Sequence, residues 1–89
     1  MLDEIVARLK DLKKQMENEL TYIRQEVKDI LKSKSRAVDR IEKTLDVLLN
    51  YSQMGVGEKE FKRLNAYYAS FNPENAKFYV DYYKEMNKG

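Results

Sequence analysis

Eighty-nine residues and 10.6 kDa hold one domain at most. Charged residues make up 36% of the chain and hydrophobic residues 43%, a balance that is neither disordered nor membrane-like. With no Cys and no His, the chain has no disulfides, thiolate nucleophiles, imidazole bases or ordinary zinc and iron ligands, and its net charge of +2 selects no partner.

The start, MLDEIVARLK, mixes charges and lacks the basic and apolar sections of a secretory signal. No strictly apolar run is longer than the three residues of Val47-Leu48-Leu49, far below the roughly 20 residues of a membrane span, so cytoplasm is the expected compartment.

The first Gly is Gly55 and the only Pro is Pro73, so residues 1–54 contain no backbone breaker. Leu, Lys, Glu, Arg, Met and Ile dominate them, which is a helix composition. Placed at 100° steps, the apolar residues Leu2, Ile5, Leu9, Leu12, Met16, Leu20, Ile23, Val27, Ile30 and Leu31 fall in one arc about 100° wide. Val38, Ile41, Leu45, Leu48 and Leu49 continue the same arc. The spacing repeats every 3.6 residues on average, favouring a nearly straight seam over a heptad supercoil.

Lys34 interrupts the stripe between Ile30 and Val38, inside Lys32-Ser33-Lys34-Ser35-Arg36. Two readings follow. A continuous helix from Leu2 to Leu49 would be roughly 72 Å long. A compact chain of this size has a radius of gyration near 12 Å, so the remaining residues cannot cover such a helix and a partner chain is required. The alternative is a hairpin turning at 33–35, with Ser35 as N-cap and Lys32 and Lys34 at the preceding C-terminus. The stripe keeps its phase across this point and no Gly or Asn marks a turn, which favours the continuous helix. Residues 1–54 are therefore read as an oligomerisation helix. Its seam is Leu2 to Leu31, with a homodimer the expected state.

Gly55-Val56-Gly57 forms a link (55–57), and a helical hairpin is expected over 58–89. Glu58 and Glu60 suit the first turn of its first helix, whose apolar face is Phe61, Leu64, Tyr68 and Phe71. Asn72-Pro73-Glu74 opens the second helix as N-cap, first helical residue and first-turn acid. That helix should run to about Met86, with Ala76, Tyr79, Tyr82, Tyr83 and Met86 on its inner face. Eight of the ten aromatic residues lie between Phe61 and Tyr83. Tyr67 and Phe78 lie off the stripes of their helices and are the candidates for an outward-facing contact surface.

The fold class is thus all-α, a coiled-coil or helical-bundle oligomer. Chemistry is scarce in it. Asp39, Glu42 and Asp46 share a helical face, but Arg36, Arg40 and Lys43 interleave with them as solvent ion pairs would, so no metal site, catalytic residue or cofactor is expected. Gly55-Val56-Gly57 lacks the Lys-Ser/Thr of a phosphate cradle. The outline of one long helix and two shorter ones is similar to that of the helical chorismate mutases. Asp39-Arg40-Ile41-Glu42-Lys43 does not match that family's Asp-x-x-Arg-Glu phrase, and a small dimeric helical enzyme stays the least favoured reading. Lys28, Lys32, Lys34, Arg36 and Arg40 form a basic segment suited to an acidic partner or a phosphate backbone, with no base-reading motif. The expected function is a small non-enzymatic structural, adaptor or regulatory protein that self-associates and contacts protein partners. A nucleic-acid-associated protein using 28–40 is the alternative.

Overall fold

The computed structural model describes residues 2–88, and these form an all-α fold of four helices. They are α1 (Leu2–Ser33), α2 (Val38–Ser52), α3 (Glu58–Ala69) and α4 (Pro73–Met86). The helix predicted to run unbroken through residue 49 ends instead at Ser33, and the chain takes the hairpin alternative.

The stop is a Schellman-type closure. Lys34 adopts the left-handed conformation (φ 53°), and the Ser35 backbone N–H donates back to the Ile30 carbonyl at 3.1 Å. A lysine there costs about 1–2 kcal/mol relative to right-handed backbone, and distant residues hold it in place. The Tyr67 hydroxyl donates to the Ser35 carbonyl at 2.9 Å, and the Arg36 guanidinium lies 5.5 Å over the Phe71 ring. Ser35 is not the N-cap of α2 as the hairpin reading had it. Ala37 occupies that position without a side-chain cap, while the Ser35 hydroxyl accepts the Ala37 N–H at 3.3 Å.

Folding back at 34–37 brings the second half of the apolar stripe onto the first. Val27 and Ile30 of α1 are buried with Ile41, Leu45 and Leu48 of α2, and Phe61, Leu64 and Tyr68 of α3 complete the same core. Ala76 and Tyr79 close it from α4. One core thus joins all four helices, and residues 2–54 do not stand apart from 58–88. α2 and α3 lie in the middle, with α1 and α4 packed on them and not on each other.

The link between α2 and α3 is a tight turn. Met54 and Val56 donate to the Tyr51 carbonyl and Gly55 to that of Ser52. Gly57 (φ +79°) opens α3 from a left-handed, buried position where an added Cβ would lie 3.1 Å from Leu48 Cδ2. At the other end of α3, Asn72 caps α4 as the sequence predicts, its side chain accepting the Asn75 N–H at 3.4 Å. Asn65 is a buried polar residue that periodicity did not single out. Its Nδ2 donates to the Ala76 carbonyl at 3.0 Å, tying α3 to α4.

The molecule measures 51 × 30 × 18 Å, with a radius of gyration of 14.9 Å against the ~12 Å of a compact chain of this length. The excess length is α1. Its C-terminal half lies in the core, while residues 2–15 project beyond it, every one of them exposed.

Candidate interaction surface

The predicted oligomerisation stripe divides into two parts of different character. Leu20, Val27 and Ile30 are buried, and Met16, Ile23 and Leu31 pack partly against the core, all within one chain. They are core residues first, contrary to the expectation that a partner covers the whole seam. Leu2, Ile5, Leu9 and Leu12 are 57–77% exposed, and Val6 beside them is 43% exposed. A projecting helix with five large aliphatic side chains in water is a contiguous apolar face of the sort that marks an interaction site. Where this face meets the globular head, Met16, Leu20 and Val56 line a cavity of about 470 Å³ flanked by Lys13, Glu17 and Arg24.

The basic segment does not form one continuous row, because the break at Lys34 splits it between α1, the turn and α2. Arg40 pairs with Glu26 across the α1–α2 hairpin, and this bond holds its guanidinium above its ordinary pKa. Arg24, one turn before the segment, pairs with Glu60 of α3 at 2.8 Å, and Arg36 faces Phe71. Lys28, Lys32 and Lys34 are exposed. The structure therefore uses two of the five named cations internally, Arg40 between α1 and α2 and Arg36 between the 34–37 turn and the α3–α4 connection.

The carboxylates of α2 also have other work than the expected surface ion pairs. Glu42 accepts from the Tyr68 hydroxyl and, at 3.0 Å, from Asn75 Nδ2; Asp46 accepts from the Tyr79 hydroxyl at 2.9 Å. Tyr51 of α2 donates likewise to Glu19 of α1. These contacts raise the phenols' pKa values. The bond to Glu19 pushes Tyr51 up to about 12, and burial, reinforced by Asp46, pushes Tyr79 up further. Burial and Glu42 raise Tyr68. Such phenols remain protonated donors at neutral pH, which suits structural ties and not proton abstraction.

Tyr67 is not an outward contact. It is half-buried, edge-on to Phe71 at 5.4 Å, and bonded to Ser35. Phe78 is exposed (62%) on the rim of an open groove of about 580 Å³ between α2 and α4. Tyr82 and Met86, expected on the inner face of α4, line the same groove and are 59% and 38% exposed. Tyr83 does pack inward, stacked on Phe61 at 5.3 Å.

Among the described residues, no helix is long and apolar enough to cross a membrane. No protein-family model, curated protein or solved structure matches this chain.

Proposed function

We propose that this chain is a small non-enzymatic helical interaction protein that self-associates through the projecting half of α1. The observation that carries this reading is the exposed face of Leu2, Ile5, Leu9 and Leu12 on a helix segment that no other described residue buries. A lone 14-residue helix segment in water is marginal by its own propensity, and a second apolar surface both stabilises it and removes its side chains from water. Full burial of one such side chain is worth about 1.5–3 kcal/mol, while association costs several kcal/mol at least. Self-association is therefore expected to depend on concentration.

The test is a solution mass measured across the micromolar range. A mass that rises from 10.6 kDa toward a multiple of it supports the proposal. A Leu9→Asp variant, with a charge in the middle of the face, should remain monomeric at all concentrations. A wild-type chain that stays monomeric throughout would overturn the reading.

A further inference from the structure

We infer that the exposed half of α1 takes a second copy of this chain in antiparallel orientation. Residues 2–16 of each copy lie against the other, and the first turn of each seats against Met16, Leu20 and Val56 of its mate. This rests on the self-association reading above and specifies its geometry.

The position of the head decides the direction. The stripe that is bare at Leu2–Leu12 is the same stripe that α2 and α3 cover from Leu20 to Leu31. A parallel copy running along residues 2–16 would continue straight into the space its mate's head occupies, and its own head would demand that space as well. An antiparallel copy begins where the head begins and leads its own head away past the far end of α1. The two copies then fit without overlap, and the shallow cavity at Met16, Leu20 and Val56 receives the incoming helix start.

Spacing and charge agree with this direction. The seam residues are separated by 3, 4, 3 and 4 positions from Leu2 to Met16, a pattern that interlocks with its own reverse. Leu9 lies opposite Leu12 of the second copy and Ile5 opposite Met16. Along the flanks, Arg8 then faces Gln15 and Val6 faces Lys13. In a parallel seam Arg8 would face Lys13 of the second copy, twice by symmetry, setting like charges together. A specific interface needs roughly 1,000 Å² in all. Six side chains from each copy, Leu2 to Met16 with Val6, make a short seam, and the contact to the mate's head adds to it.

A nitroxide at position 22 tests the orientation by electron-electron distance measurement on the full chain. Tyr22 is 76% exposed and outside the seam, so a Tyr22→Cys variant gives a single labelling site in a chain with no other Cys. In the antiparallel dimer the two labels are expected about 35–45 Å apart, since each lies about twelve residues from the two-fold axis at 1.5 Å per residue. In a parallel dimer they would lie within about 25 Å, given helix axes 8–10 Å apart. The antiparallel seam is overturned, and self-association left standing, by any dimer outside the expected window. It is also overturned if the coupling survives Leu9→Asp in the labelled chain. A labelled chain that is folded by circular dichroism, monomeric by light scattering and free of coupling overturns both readings.

Discussion

Lys34 carries a left-handed backbone conformation that glycine would adopt without steric cost. Lys34→Gly is therefore expected to stabilise the fold by about 0.5–1 kcal/mol, after allowing for the greater freedom glycine gives the unfolded chain. Thermal unfolding would show this as a rise of a few degrees in Tm. The two glycines of the next turn make a matched pair in the opposite sense. Both have positive φ, but an added Cβ at Gly55 meets nothing within 4 Å, while at Gly57 it meets Leu48 Cδ2 at 3.1 Å. Gly55→Ala should cost about 1 kcal/mol and Gly57→Ala about 2–3 kcal/mol; comparable losses from the two in denaturant titrations would argue against tight packing at Gly57. Residues of this kind mark where local signals succeed and fail. Asn72-Pro73-Glu74 announces α4 because its cap bonds are made within one turn of chain. Lys34 interrupts the stripe without deciding between a turn and a continuous helix, because what tolerates its strain is Tyr67 and Phe71, more than thirty positions downstream.

At the scale of elements, α1 is two structures on one axis. The 3.6-residue stripe reveals which face is apolar, but it is uniform from Leu2 to Leu31 and so does not tell where self-burial stops and exposure starts. That boundary depends on how far α2 and α3 reach once the chain folds back. The continuous-helix expectation failed for the same reason: phase agreement across 33–35 serves equally well when α2 doubles back and packs its stripe against α1. The division of α1 predicts different outcomes from like substitutions. Val27→Asp buries an uncompensated carboxylate in the core and should abolish folding or cost more than 3 kcal/mol. Leu9→Asp should leave the unfolding transition of the dilute monomer within about 0.5 kcal/mol of wild type. Circular dichroism melts of the two variants at low concentration check this. Large destabilisation by Leu9→Asp would mean that the projecting half is part of the cooperative core. Of the candidate surface residues, Phe78 was legible from its place off the stripe. Tyr67 had the same signature, and its partial burial came from the turn that the sequence offered only as the less favoured alternative.

For the whole molecule, the hydroxyl–carboxylate ties of Tyr51, Tyr68 and Tyr79 link α2 to α1, α3 and α4 in turn. They set an alkaline limit on stability. Each phenol is harder to ionise in the folded chain than in the unfolded one, where its pKa is near 10. The resulting stabilisation is fully present below pH 10 and is lost as pH rises through the folded-state values, which for Tyr51 is about 12. Tm is expected to be unaffected by these groups near neutrality and to fall between pH 10 and 12. In Tyr51→Phe, Tm should be lower at pH 8, and its alkaline fall should be smaller than in wild type. An identical fall in wild type and variant would show that the Glu19 bond contributes nothing to stability. The Glu42 and Asp46 acceptors were visible in the sequence only as a row of acids among basic neighbours. Periodicity shows which residues share a face, but not that an aromatic helix thirty positions away will claim them.

Because residues 2–15 are all exposed among the described residues, the proposed self-association would separate two clocks, that of folding and that of pairing. The rates at which the head folds and unfolds are governed by contacts from Met16 onward, so substitutions at Leu2, Ile5, Leu9 or Leu12 leave both rates unchanged. In the pair proposed above, the same four positions would govern how long it survives, since differences among variants of one interface lie chiefly in dissociation. The lifetime of such a pair would then be free to change across orders of magnitude while the lifetime of the folded chain stays nearly constant.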